Sequence, residues 1–288
     1  RCRLVGSEMC IRDSLIVSVK NISEAEKNYS KLFGIDPVWR GEHSELGTIN
    51  SIFNFNNTYF ELLAANGDGF GAQLVNKSIE ENGEGLTGIV LGSEDLEETR
   101  DQLLEHGIDF GNISLGEGED FDSGNIRRWK NLFLPDNLTR GLFSFLIEHT
   151  EGDLPMPGSF PASSVHKLDH VVINTNDPEG FIQVYEKTYG IRLALDQTVE
   201  KWGGRMLFFR LNKTTIEVIA KEDGKEKQDK LWGLAWDVED LNATHTRLIK
   251  EGFDITPVKE GRKPNTLVAT VKSRTHNIPT LLIEHLAS

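Results

Sequence analysis

The sequence predicts an α+β protein assembled from four βαβββ modules, and three observations carry that expectation. Tyr29–Ile35 (YSKLFGI) recurs as Tyr185–Ile191 (YEKTYGI), an offset of 156 that also lays Thr58–Glu61 onto Thr214–Glu217. Asp95 and Asp240 are each followed twelve residues on by a glycine, Gly107 and Gly252. Near-identical runs, Phe145–His149 (FLIEH) and Leu281–His285 (LLIEH), close the two halves. Self-similarity at a fixed period marks a repeated structural unit, so the chain reads as modules in the order A, B, A, B.

Each module reads as strand, helix, then strands. Leu15–Val19 (LIVSV) opens the first, and Ser23 with Glu26 forms a capping box before a helix carrying Ala25, Tyr29, Leu32 and Phe33 at helical spacing. Asp177 and Pro178 start the equivalent helix of the third module, with proline in the first turn. The four helices are expected to end at Gly34, Gly107, Gly190 and Gly252, each placed for a left-handed C-cap. Runs 49–55, 59–64, 206–211 and 215–220 read as strands. Glu151–Val165, with Pro155, Pro157 and Pro161, reads as a linker, which leaves halves of 15–150 and 166–288. The acidic stretch Gly116–Asp122 and the glycine-rich Gly67–Gly71 lack the Lys-Ser/Thr of a phosphate loop and read as solvated loops.

Composition narrows the partners. The chain has 288 residues, 31 Lys+Arg against 45 Asp+Glu, and a net charge of −14. That balance argues against a nucleic-acid or anionic-membrane partner, because phosphate binding needs a basic surface. No run approaches the roughly 18–20 apolar residues of a membrane span. Residues 1–14 stand apart. Leu4–Ser14 (LVGSEMCIRDS) looks like one reading frame of a transposase sequencing adapter fused to a truncated gene, and is set aside from fold reasoning. Both cysteines, Cys2 and Cys10, lie in it, so no disulfide, thiol nucleophile or cysteine metal site is expected in the remainder. A cytoplasmic location fits, with the true N-terminus missing.

Leu168–Ile173 (LDHVVI), the Tyr-x-x-x-x-Gly helix ends and the Glu-bearing strands resemble the vicinal oxygen chelate superfamily, which includes glyoxalase I, bleomycin-resistance proteins and extradiol dioxygenases. Glu42–Asn50 (EHSELGTIN) followed by Tyr59–Leu62 (YFEL) resembles its glyoxalase-like branch. The resemblance spans residues 15–288. It implies that modules pair into two cup-shaped, eight-stranded mixed sheets, with helices outside and a ligand cleft inside.

It also implies metal ligands on the first and last strands of each module. Alternation along a strand then puts His170, Val172 and Asn174 on the cleft face. The last-strand carboxylates would be Glu61, Glu148, Glu217 and Glu284, each flanked by apolar residues. A buried carboxylate needs a metal, a cation or hydrogen bonds. Seven residues before Asp95 and Asp240 stand Gly88 and Gly233, which cannot ligate. The second cup therefore offers His170, Glu217 and Glu284, which with water suit Mn, Fe, Co, Ni or Zn. A satisfied polar cluster in a metal-free cup is the competing reading. In the first cup Glu61 and Glu148 are expected as paired or hydrogen-bonded residues, and the counterpart of His170 is Ser14, the last adapter-like residue. His149 and His285 are expected to turn to the helix side and pack, while His43, near a cup mouth, could touch a ligand like His276, a solvated loop being the default for both. Arg205, His276 and Asn174 are candidates for touching substrate, Arg205 through a carboxylate of the substrate or else as an exposed salt bridge.

Two functional classes follow. One is a divalent-metal-dependent enzyme of the lyase or isomerase type. Its ion would hold two oxygens of a small carbonyl or enolisable substrate and stabilise the negative charge developing there, while Glu217 or Glu284 moves a proton. Extradiol dioxygenase chemistry is disfavoured, because Gly233 stands where its iron needs a second histidine. Glyoxalase I has a His or Glu at that place. The other class is a metal-free, bleomycin-resistance-like protein that binds a small hydrophobic or aromatic molecule. Expected partners are a small-molecule ligand and further copies of the chain, with no nucleic acid and no membrane.

Overall fold

The computed structural model describes residues 13–105, 107–199, 204–211, 214–221 and 227–286. Most of the adapter-like segment, Cys2 and Cys10 included, lies outside them, whereas Asp13 and Ser14 begin the first strand.

The first half runs β1 (Asp13–Ser18), α1 (Ile22–Phe33), β2 (Trp39–His43), β3 (Thr48–Asn54), β4 (Thr58–Ala65), α2 (Phe70–Asn82), β5 (Gly85–Gly92), α3 (Leu96–Glu105), β6 (Ser114–Asp120), β7 (Ile126–Phe133), α4 (Asp136–Thr139) and β8 (Phe143–Glu151). Its eight strands close into a barrel in the order β1-β4-β3-β2-β6-β7-β8-β5. Closure comes from β2 pairing with β6, Gly41 opposite Asp120 and Glu42 opposite Glu119. A Cβ on Gly41 would lie 2.6 Å from the Glu119 carbonyl oxygen, so only glycine lets these strands meet.

The second half runs β9 (Val165–Thr175), α5 (Pro178–Ile182) with a π-helical continuation (Gln183–Thr188), β10 (Arg192–Val199), β11 (Gly204–Leu211), β12 (Thr214–Ala220), β13 (Asp229–Val238), α6 (Leu241–Lys250), β14 (Lys259–Glu260), β15 (Thr266–Val271) and β16 (Thr280–His285). These strands form an open sheet in the order β10-β11-β12-β9-β13-β16-β15-β14. In both halves the opening strand of one module pairs with that of the next, β1 with β5 and β9 with β13.

The α+β expectation of paired modules and two mixed sheets holds. Gly34, Gly107, Gly190 and Gly252 all carry positive φ, between 71° and 79°. Asp177 caps α5 through the Gly180 N–H, with Pro178 in the first turn. Three local expectations differ. The cap of α1 is Asn21, whose side chain accepts from Glu24 N, and not Ser23. The stretch expected as a loop at 116–122 is mostly strand β6, and Gly67–Gly71 leads into the unforeseen helix α2.

A single apolar core joins the halves. Helix α1 lies against its own sheet and also against β13, where Phe33 meets Trp236 at 4.9 Å between ring centroids, and Phe55 meets the same ring at 4.8 Å. Fully burying each such side chain stabilises by about 1.5–3 kcal/mol. The seam also holds ions. Arg140, after α4, donates from Nε to Asp229 Oδ2 at 2.7 Å and from Nη1 to Asp177 Oδ2 at 3.2 Å. Among the described residues no helix is long and apolar enough to cross a membrane.

Candidate functional site

In the second half β9 and β12 run parallel, with Val172 opposite Glu217. Val171, Ile173, Ile216 and Val218 enter the core, so His170, Val172, Asn174 and Glu217 share the cup face. His170 Nε2 lies 3.5 Å from Glu217 Oε2, and its Nδ1 lies 2.7 Å from Asp169 Oδ1. Asp169 reaches this cluster because the β9–β13 register slips at that point. Its other oxygen is 2.6 Å from His285 Nε2. Burial opposes the Asp169 charge, but the bonds to the two imidazoles outweigh it and hold the carboxyl well below the usual range. Burial pushes the Glu217 carboxyl up, against the attraction of His170. Asp169, Asp237 and His285 each present one ligand atom within 4.8 Å of the others, and Lys167 Nζ stands 3.1 Å from Asp237.

Glu284 does not join them. It shares the phase of Leu282, a core residue, and so points into the helix layer, where Oε2 accepts the Leu241 N–H at 2.8 Å. Glu148 accepts the Leu96 N–H at 2.8 Å in the same way, with Lys130 Nζ at 3.3 Å. Both carboxylates serve helix N-termini, α6 and α3, and the expected metal set loses its third member. Register gives the reason. Glu61 pairs with Ile16 and Glu217 with Val172, each five residues before its helix cap; opposite the equivalent Val90 and Ala235 stand Phe145 and Leu281. His149 and His285, expected to pack on the helix side, face the cups instead.

Two candidate substrate contacts also lie elsewhere. Arg205 shares the phase of the core residues Leu207 and Phe209 and is held by Asp196 and by Glu179 of α5. His276 sits at the seam, stacked on Tyr29 at 5.7 Å, with Nδ1 3.1 Å from Glu84 Oε2. Asn174 stays on the cup face, two residues beyond Val172.

The first cup holds a cavity of about 420 Å³. Tyr59, Trp129, Phe133, Phe143 and Phe145 form much of its wall, and Phe70, Leu74 and Val75 of α2 cover its mouth. Glu61 faces it, its Oε1 accepting from Asn50 Nδ2 at 2.8 Å. His43, expected in a solvated loop, ends β2 on the cavity wall, 3.0 Å from Thr48 Oγ1, and burial lowers its pKa. Arg127 is 5% exposed, with Nη2 3.2 Å from His149 Nδ1 and its guanidinium 5.4 Å from the Trp39 ring centre. Burial pulls the Arg127 pKa down, opposed by Tyr59, Glu61 and Asp153. Asn50, Arg127 and Asn131 line this wall, and Asn50 Oδ1, Arg127 Nε and Asn131 Oδ1 are buried with no hydrogen-bond partner among the described residues. Arg127 and Asn131 belong to no motif. Their one sequence signal is the alternation of Arg127, Trp129, Asn131 and Phe133 along β7.

Residues 13–166, more than half of the chain, match the family model for a glyoxalase-like domain. The chain belongs to this family. Residues 169–270 match the model of the glyoxalase/bleomycin resistance protein/dioxygenase superfamily, so the glyoxalase-like chain is a tandem of two vicinal oxygen chelate domains. No curated protein matches the sequence. Among solved structures, a triple mutant of 4-hydroxymandelate synthase from Streptomyces coelicolor is 14% identical with a TM-score of 0.67, covering 96% of this chain and 93% of that one. A hypothetical protein from Staphylococcus aureus is 12% identical with a TM-score of 0.63, covering 96% and 98%. At such identities the likeness is one of fold.

The glyoxalase-like fold implies a divalent ion held by four strand positions. In the second cup these carry His170, Glu217, Gly233 and Leu281; in the first they carry Ser14, Glu61, Gly88 and Phe145. In the second cup His170 and Glu217 are two strong donors, one short of the expected three-ligand centre, and in the first cup the position of His170 falls on the adapter-like Ser14. The four positions of the second cup do not by themselves complete it, and Asp169 and His285 lie beside them.

Proposed function

We propose that this glyoxalase-like protein works by enclosing a small, largely apolar molecule in its first cup. The supporting observation is the aromatic cavity whose wall carries the unpartnered Asn50 Oδ1, Arg127 Nε and Asn131 Oδ1. The same three side chains line the cavity, so polar groups converge on a largely apolar chamber. An apolar cleft with a few convergent polar groups has the usual make-up of a small-molecule site. Trp129 fluorescence and thermal stability, followed across a small-molecule library, test the reading. Hits should raise the melting temperature of the wild type and lose affinity in Phe145→Trp, which fills the chamber. Hits that bind the variant unchanged, or no hits at all, would sink it.

A second reading, a divalent-metal enzyme of the lyase or isomerase type acting on a small carbonyl or enolisable substrate, is supported by Asp169. A bond from His170 Nδ1–H to that carboxylate leaves Nε2 on the Glu217 side, the arrangement that orients metal-ligating histidines. Bound metal measured by plasma mass spectrometry is the test. This reading requires near-stoichiometric metal that is lost in His170→Ala and kept in Glu284→Ala. A wild type that stays metal-free after reconstitution with Mn, Co, Ni and Zn removes it.

A further inference from the structure

We propose that the molecule held in the first cup is a monocarboxylate, anchored through its carboxylate oxygens on Arg127. This rests on the first cup being the ligand chamber, and it names the ligand's charged group.

Other buried or half-buried arginines among the described residues are matched. Arg140 meets Asp229 and Asp177, Arg40 meets Glu26 and Asp122, and Arg247 donates to the carbonyl oxygens of Ser163, Lys31 and Leu32. Arg127 differs. It is 5% exposed, forms no ion pair among the described residues, touches the imidazole of His149 and the face of Trp39, and leaves Nε unpartnered. A buried cation needs an anionic or strongly accepting partner, and the guanidinium fork matches a carboxylate in two parallel hydrogen bonds. Arg127 lines the chamber, so a carboxylate that enters it meets the guanidinium.

The rest of the wall limits the ligand further. Tyr59, Trp129 and Phe145 ask for an apolar body. Glu61 already brings one negative charge to the same wall, where it accepts from Asn50 and attracts Arg127 and His43. A second carboxylate on the ligand would meet that charge at low dielectric, which is why a monocarboxylate is specified.

Calorimetric titration of the full chain with matched acids and primary amides tests the proposal. The pairs are hydrocinnamic acid and hydrocinnamamide, naphthoic acid and naphthamide, and octanoic acid and octanamide. At least one acid should bind about tenfold or more tighter than its amide, since a hydrogen bond to a charged group is worth roughly 1.5–3 kcal/mol. Arg127→Met should erase that preference and Arg127→Lys should keep part of it. Without ligand, Arg127→Met should melt close to the wild type, because the cost of burying the guanidinium offsets its contacts with His149 and Trp39. Acids and amides that bind alike overturn the carboxylate while leaving the chamber standing. No binding by either series, with no displacement of an environment-sensitive dye, removes both. A marked loss of ligand-free stability in Arg127→Met would make Arg127 a structural brace and overturn the proposal.

Discussion

Glu284 Oε2 accepts the backbone N–H of Leu241 at 2.8 Å, at the first residue of α6. The donors of a helix's first turn lack intrahelical partners, and a carboxylate there also meets the positive end of the helix dipole. Glu284→Ala is expected to cost about 1–2 kcal/mol, by analogy with the loss of a cap. Glu284→Gln should cost less, since its carbonyl oxygen still accepts. Urea denaturation reads both. A Glu284→Ala variant with full stability would show that the bond contributes nothing.

Asp229 is fully buried at the seam, where both its oxygens accept from Arg140 and Oδ1 also accepts from Thr175 Oγ1 at 2.6 Å. Removing its charge leaves the largely buried guanidinium with Asp177 as its remaining carboxylate. Asp229→Asn should therefore lower unfolding stability by about 3 kcal/mol, the scale of a broken buried ion pair. Chemical denaturation of the whole chain measures it, and a loss well under 1 kcal/mol would contradict the argument.

Glu84 supplies a pH-dependent part of the same seam. Burial works against its charge, but bonds from the Lys20 N–H at 2.6 Å and from His276 prevail and hold its carboxyl below the ordinary value. A depressed carboxylate contributes stability above its unfolded value, about 4.3, and loses it as pH falls through the folded value. Wild-type stability should thus fall on acidification from about pH 5 to pH 3, and Glu84→Gln should fall less steeply. Identical slopes for the two proteins would assign the acid response to other groups.

Gly69 governs the docking of α2 over the first cup. A Cβ there would lie 2.3 Å from the Leu46 carbonyl carbon and 2.4 Å from its oxygen, and backbone cannot yield as a side chain does. Gly69→Ala should loosen residues 66–82, seen as faster hydrogen exchange in that segment. The global melting temperature should drop by only a few degrees, the scale of about 1 kcal/mol. Unchanged exchange would mean that the helix adjusts without leaving the cup.

Local patterns made a large part of this legible. Val171, Ile173, Ile216 and Val218 form one apolar phase, so His170 and Glu217 on the other phase had to share a face. The last strand of each half offered no such clue. In β16 Leu281 and Ile283 are as apolar as Leu282, and in β8 Phe145 and Ile147 are as apolar as Leu146. Alternation is then silent, and the side taken by Glu284 or Glu148 depends on pairing with β13 or β5. Arg205 was ambiguous for a related reason, because a lone charge on a strand reads alike in a cleft or beside a helix.

The sequence by itself determined the four repeated modules, the glycine-ended helices and the His170–Glu217 pair, since these follow from propensity and alternation within short segments. Only the tertiary structure decided that the first sheet closes while the second stays open, that Glu284 and Glu148 serve helices, and that Arg127 is buried with no ion pair among the described residues. Those outcomes depend on which distant strands pair and on what surrounds a charge once water is gone, and no single segment carries that free energy.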